Sequence, residues 1–555
     1  MIGVIAEPAE HDVVREFFEL FKTPWEFYRP GRRYEVALCA ADLPLQADAD
    51  LVVVYCGRRT HFDDERSTLL CAQPGIPNVL SFHEDSIPIY RNTVCFTGTR
   101  NSLLTLEASK ECAAYLARNG ASWFARVGYD LFAEVRALLT AGQPSAQAHL
   151  PTLDLHIAFL RQLIVGCGIT VAEIPPVPEG FRFIVCLTHD VDHPSIREHK
   201  WDHTMLGFLY RALFGSLQNL VCGRISLRTL LTNWAAALKL PFVHLGIAKD
   251  FWRDFEEQYL ALEYGLASTF FVIPFKNNPG LGMEGKAPRL RAATYGARDI
   301  ADIISKLAAA GREVGLHGID AWCDSEKGRL ELEEVRQLTA ASQIGVRMHW
   351  LYYGPQSPAL LEKAGADYDS TVGYNEAVGY RAGTGQAYKP LDAERLLELP
   401  LHVMDTALFY GARMGLSRGE AKPILKQMIE NAGRFGGCLT INWHDRSLAP
   451  ERLWDASYLE LLQELRKQGA WFATAKHVVS WFRKRRSAVF EPDSLTPSAA
   501  CVSLAPGDRK GVPGLRLRFH QGHTFGSFIE QDSGGMVDSP ISENAGAVVP
   551  SEAGK

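Results

Sequence analysis

An apolar run that ends in two carboxylates constrains this chain more than any other feature: residues 181–192 read FRFIVCLTHDVD. Phe183, Ile184, Val185, Cys186 and Leu187 form the pattern of a strand buried on both faces, as in parallel sheets and barrels. Side chains alternate along a strand, so Cys186, Thr188, Asp190 and Asp192 share one face. Two neighbouring carboxylates at a strand's C-terminal end are costly to bury unless a cation or a proton separates them. Barrels of the α/β class keep their sites at that end. A metal with an adjacent base is therefore the first expectation; a surface Asp-x-Asp turn after a core strand is the bland alternative.

Around this strand the chain divides into territories. Residues 1–150 alternate strand and helix signals: apolar Ile2–Ile5, a helical His11–Phe21, strand-like Tyr34–Cys39, 51–56 and 93–97, then a helix-like, alanine-bearing 103–118. That alternation predicts a small α/β domain. Residues 151–180 read as a linker, broken by prolines and closing in PPVPEG. Across 181–485, strand signals at 183–188, 268–273, 313–317, 345–349, 397–403 and 438–444 alternate with helices such as 299–311 and 325–343. That length and order suit a (β/α) barrel. Residues 486–555 are a C-terminal extension rich in Ser, Pro and Gly. Within it 515–519 alternates like a strand, and roughly the last 25 residues read as disordered.

An insertion at 203–248 stands apart. MLGFLYRALFGSLQNLV and LRTLLTNWAAALKLPFVHL carry apolar residues at helical spacing with Arg and Lys interleaved. Two amphipathic helices packed over the barrel mouth is one reading; an interfacial patch, in peripheral contact with a membrane that carries lipid-linked substrate, is the other. No run of about 18 uncharged apolar residues occurs, so no membrane span is expected. A net charge of -6 gives no reason to expect nucleic acid as partner. The eleven Cys form no CxxC pair and lie mostly in apolar runs, which suits reduced thiols in a cytoplasmic protein. The N-terminal residues lack a basic segment followed by an apolar one, so no signal peptide is expected.

Further polar residues fall at the ends of other strand signals. His317 closes EVGLH, and Arg347 and His349 share a face of VRMH. Thr440, Asn442 and His444 share one face of CLTINWH, while Leu439, Ile441 and Trp443 take the other. Each is weak alone; an acidic pair, an arginine and three imidazoles converging on one rim is a stronger signal.

In that order, THDVD, GLHG, an Arg-bearing strand, LELPL and a strand ending in His, the chain resembles the polysaccharide deacetylases of the NodB homology fold, a carbohydrate esterase 4-like group. It is most similar to the branch with THDVD as first motif and a separate N-terminal domain, and GVRMHWL, YDSTVGYNEAVGYRAGT and LELPLHVMDTALF are further local matches. The resemblance implies an α/β chain: a deformed (β/α) barrel of the NodB type preceded by a smaller α/β domain. It implies Asp190 as general base, Asp192 and His317 as metal ligands, Arg347 as the residue that orients the base, and His444 as general acid. Leu401 is implied as an apolar wall for the acetyl methyl, with Trp443 and Arg381 also assigned to substrate. The family's second histidine, four residues after the first, is missing here: Ala321 stands there. His349 is the candidate replacement and Asp320 the fallback.

The implied activity is a metal-dependent hydrolase, with a divalent metal, zinc by its ligand set, that removes N-acetyl groups from a carbohydrate of the cell envelope, an exported glycan or its precursor. A degenerate glycan-binding member and a deacylase of a non-sugar amide are the alternatives. The chemistry agrees: amide hydrolysis needs a nucleophile at neutral pH, stabilisation of an oxyanion and a proton for the departing amine. No GxSxG elbow or Cys-His pairing suggests covalent catalysis instead.

Overall fold

The computed structural model describes all residues except 43–46, 67, 72–77, 100, 492–501, 505–510, 524–535 and 542–555. The chain forms two compact units. The first comprises Met1–Gly180, Tyr380–Gln386 and Ser480–Lys555; the second comprises Phe181–Gly379 and Ala387–Val479.

The first unit is built on a mixed sheet. Trp25–Phe27, Ile2–Ile5, Tyr34–Cys39, Ala49–Tyr55 and Ser122–Val127 lie side by side in parallel, and Cys112–Asn119, Ser102–Leu106, Asn78–Phe82 and Asp85–Ile89 extend the sheet antiparallel. The stretch 103–118, expected as a helix from its alanines, is therefore two strands. Alanine's helix preference is a fraction of a kcal/mol per residue, and a ladder running from Ala114–Val127 to Asn119–Ser122 overrides it. The expected linker 151–180 is also structured. Thr152–Gly166 is a helix buried along most of its length, and Val171–Glu173 pairs with Arg516–His520, which pairs in turn with Met536–Pro540. The rest of the tail read as disordered lies outside the described residues.

Arg485 shows why distant segments join this unit. Its fully buried guanidinium donates to the carbonyls of Ile174 at 2.9 Å, Glu19 at 3.1 Å and Leu20 at 3.0 Å, and to Gln386 Oε1 at 3.1 Å. Asp154 accepts from Thr384 at 2.8 Å, Gly385 at 3.2 Å and Gln386 at 3.3 Å. Elsewhere, Asp63 accepts from Arg126 Nε and Nη2, both at 3.0 Å, with both side chains wholly buried. Asp63→Asn leaves that guanidinium charge buried without its counter-ion. The expected loss is about 3–5 kcal/mol of stability, read by denaturant titration; a loss under about 1 kcal/mol would show the pair to be dispensable.

The second unit is a parallel α/β barrel of irregular form. Its strands run in the order Leu397–Glu398, Tyr368–Asp369, Val346–Met348, Glu313–Gly318, Ser268–Val272, Ile184–Val191, Cys438–Asn442, Val403–Met404, all neighbours parallel. The first and last strands in that order belong to one continuous stretch, LELPLHVM, and its backbone closes the ring. Leu399 N and Leu401 N donate to the carbonyls of Asp369 at 2.8 Å and Val372 at 2.9 Å on one side, while His402 N donates to Thr440 O at 3.1 Å on the other. Helices such as Ala301–Ala309, Ser325–Thr339 and Arg418–Phe435 follow strands, as the parallel connection requires. Gly345 admits the ring of Tyr368, which lies where a Cβ would stand.

Candidate active site

Because every strand of the barrel runs the same way, their C-terminal ends share one rim. Asp190 and Asp192 leave Ile184–Val191 there, His317 leaves Glu313–Gly318, His349 follows Val346–Met348 and His444 follows Cys438–Asn442. All five side chains meet.

Asp192 is the hub. Its Oδ1 lies 3.3 Å from His317 Nε2 and 3.7 Å from His349 Nε2, and its Oδ2 lies 3.8 Å from His444 Nε2. Oδ1 is buried without a hydrogen-bond partner, an expensive state for a carboxylate unless a cation completes it. Asp192, His317 and His349 present three ligand atoms within 4.8 Å of one another. Ligand atoms on a small tetrahedral ion stand ~3.3 Å apart, close to the 3.3 and 3.7 Å from Asp192 Oδ1 to the two imidazoles, so the donor set suits a divalent metal. His317 Nδ1 donates to Arg347 O at 2.9 Å, which leaves Nε2 as the free lone pair. Burial above all lowers the His349 pKa to about 3, which keeps that ring neutral, as a ligand must be.

His349 takes up this position through an unusual turn: Trp350 and Leu351 both have left-handed backbones, at φ 67° and 54°. Two consecutive non-glycine residues in that region carry roughly 1–3 kcal/mol of strain each. Asp320, the fallback ligand, is committed elsewhere. Its Oδ1 accepts from Leu281 N at 2.7 Å and its Oδ2 from Lys327 Nζ at 2.9 Å.

Asp190 is held beside the ligand group by a separate set of bonds. Oδ1 accepts from Arg347 Nη1 at 3.1 Å and Oδ2 from Asn442 Nδ2 at 2.7 Å, while Asp190 N donates to Asn442 Oδ1 at 3.1 Å. Arg347, fully buried, also donates to Thr188 Oγ1 at 2.6 Å, Ser370 O at 2.9 Å and Ser370 Oγ at 2.8 Å, and lies 4.6 Å from the Phe271 ring centroid. On the opposite flank His444 Nδ1 donates to Asp405 Oδ1 at 2.6 Å. Burial alone would lower the His444 pKa, but Asp405, with Asp192 and Asp190 beyond it, raises it to about 9. Burial likewise pushes Asp405 up, yet the His444 charge and hydrogen bond hold it below the usual carboxylate range. The rim thus offers an ionisable acceptor, a three-ligand cluster and a protonated imidazole within a few ångströms.

Trp443, Arg381 and Leu401, the residues assigned to substrate, each pack against neighbours of their own. Trp443 is wholly buried on the outward face of its strand, against Tyr458 and Phe409 at 5.0 and 5.9 Å between ring centroids, because strand alternation turns it away from Asn442 and His444. Arg381 belongs to the Tyr380–Gln386 segment of the first unit, where its carbonyl accepts from Gln143 N at 2.8 Å and its side chain covers Gly142. Leu401 is buried with its Cβ against Gly373. Asp405, Asn442, Thr188 and Ser370 carry no sequence assignment. Asp405 was legible by the same signal as Asp190, an acid at a strand's C-terminal end, since it follows Val403–Met404 directly.

No protein-family profile matches the chain, and no curated protein does. Among solved structures, it is similar to a Mycobacterium smegmatis protein assigned to the polysaccharide deacetylases, with 18% identity and a TM-score of 0.36, over 56% of this chain and 95% of that one. It is also similar to Puue allantoinase (14% identity, TM-score 0.33, 55% of this chain and 91% of that one). A third is a CE4 family pseudoenzyme from Bacillus anthracis (10% identity, TM-score 0.25, 54% of this chain and 66% of that one). At these values the likenesses carry no argument, and the functional reading rests on the chain's own side chains.

Proposed function

We propose that the second unit is a metal-dependent hydrolase that removes N-acetyl groups from a carbohydrate, an envelope or exported glycan or its precursor. The observation that carries the reading is the separation of roles around Asp192: one carboxylate with an unpartnered buried oxygen facing two imidazoles, a second carboxylate held apart from them by Arg347 and Asn442, and a third imidazole held by its own acid. Asp192, His317 and His349 would hold a divalent ion, which would supply Lewis acidity toward water and toward an amide carbonyl. Asp190 accepts the proton of the attacking water, its orientation fixed by Arg347 and Asn442. His444 gives a proton to the amine nitrogen as the C–N bond breaks, and Asp405 keeps its ring aligned for that transfer. The products are acetate and a free amine. The ten described cysteines are all unpaired, which suits a reducing compartment, and we assign the cytoplasm on that ground.

The test is metal content together with amine release. The parental protein is expected to hold about one zinc per chain and to release amine from N-acetylated sugars. Asp192→Ala is expected to lose the metal by elemental analysis with its fold intact. Stoichiometric metal in that variant refutes the ligand set. Metal binding without turnover on any acetylated sugar refutes the hydrolase reading, and turnover confined to non-sugar amides refutes the substrate class.

A further inference from the structure

The insertion at 203–248 packs one side of itself and leaves another apolar side in solvent. Its long helix, Leu227–His244, buries Leu230, Ala237, Leu240 and Val243. A second stripe one residue on, Leu227, Leu231, Trp234, Leu238 and Phe242, is exposed, with Leu238 at 74%. Its spacing of three or four residues is that of a helix face. The preceding helical stretch repeats the arrangement. Met205, Phe208 and Ala212 are buried, whereas Leu206, Tyr210, Phe214, Leu217 and Val221 are exposed at spacings of three or four. Trp234 Nε1 donates to Leu213 O at 3.3 Å, tying the two helices together. Folding has used one stripe of each helix, and a monomeric soluble protein rarely leaves so much contiguous apolar surface open.

Charge says what covers it. Over the whole chain about one residue in nine is acidic, 64 of 555, yet 203–249 contains no Asp or Glu against five Lys or Arg. Arg211 is paired with Glu451 and Lys249 with Asp254, while Arg224, Arg228 and Lys239 are exposed with no ion pair among the described residues. An apolar face with unpaired cations and interfacial aromatics (Tyr210, Trp234) is the composition of a helix that lies in a lipid headgroup region. The hairpin's buried side rests on Ile196, Trp252 and Ala449, residues of the loops that follow Asp192 and His444. The patch is thus tied to the rim that carries the candidate site.

We propose that this hairpin docks the protein on a membrane surface bearing anionic lipid. The test uses the full chain and flotation with vesicles of phosphatidylcholine alone or mixed with phosphatidylglycerol. Binding is expected to the mixed vesicles, weaker at high salt and weaker on phosphatidylcholine alone. Replacing Leu231, Leu238 and Phe242 together by Ser is expected to cut affinity by roughly tenfold or more, and Arg224→Glu with Lys239→Glu to remove the preference for anionic lipid. Those side chains are exposed, so an unchanged melting curve certifies the fold, and the Asp192→Ala protein is expected to bind vesicles as the parent does. Absence of binding, or binding that neither variant reduces, overturns the proposal. So does concentration-dependent self-association that the Ser variant abolishes in a protein that ignores vesicles, since the stripe is then an interface between copies.

Discussion

An Asp190→Asn protein is expected to fold, to bind metal and to turn over at a rate at least ~10³-fold below the parent, at the upper end of what a positioned general base contributes. The amide keeps the shape of the carboxylate but cannot take a proton from water. Stability is the competing concern, because Arg347 loses its counter-ion inside the barrel. Its bonds to Thr188, Ser370 O and Ser370 Oγ and its place over Phe271 persist, so the cost falls below the ~3–5 kcal/mol of a bare buried charge. Asn442 cannot rotate to suit the new amide without losing Asp190 N, which adds about the cost of one unmade hydrogen bond. Single-turnover amine release on the metal-loaded variant decides the matter. Parental turnover ends the assignment of Asp190 as base, and loss of metal moves Asp190 into the ligand set.

The second large effect is expected from Asp405→Asn. Asp405 uses both oxygens: Oδ1 accepts from the His444 ring, and Oδ2 accepts from His444 N at 2.7 Å and Ser447 Oγ at 2.5 Å. An asparagine has one oxygen. If it serves the backbone side, its NH₂ faces His444 Nδ1, which must then accept, and the protonated ring is no longer supported. Turnover of N-acetyl substrates should fall by about 10²–10⁴, whereas an acetate ester with a phenolate leaving group should lose far less, because that group departs without a proton. Equal losses on both substrates would mean that Asp405 shapes the pocket rather than the proton donor. His444→Gln, which keeps bulk but cannot donate as a cation, should show the same split.

The barrel's central strands were legible because parallel strands buried on both faces leave long apolar runs, and Asp190, His317 and His444 were legible because they interrupt such runs at one end. Tyr368–Asp369 was not, since a two-residue strand leaves no period to read. The second imidazole depends on register. His349 is the sequence candidate because it shares a face with Arg347 and ends the strand after that of His317. His317 pairs with Arg347 across the ladder, and Asp192, His317 and His349 present ligand atoms within 4.8 Å of one another. Arg381 has neighbours that the local sequence does not announce. It follows barrel residues in the chain, yet its segment is claimed by Asp154 and Gln143, more than two hundred residues upstream.

The chain's order of synthesis runs against its order of completion. Val171–Glu173 emerges early but finds its sheet partner only in Arg516–His520, and Asp154 waits for Thr384. At roughly 5–20 residues per second, the interval from Gly180 to Pro540 lasts about 20–70 s. Through that interval the barrel can close while the unit begun first still has an open edge. A fragment ending at 180, or one stopped at 485 as though the remainder were dispensable, would leave that edge unpaired, so Arg516–His520 acts as the clasp of the first unit.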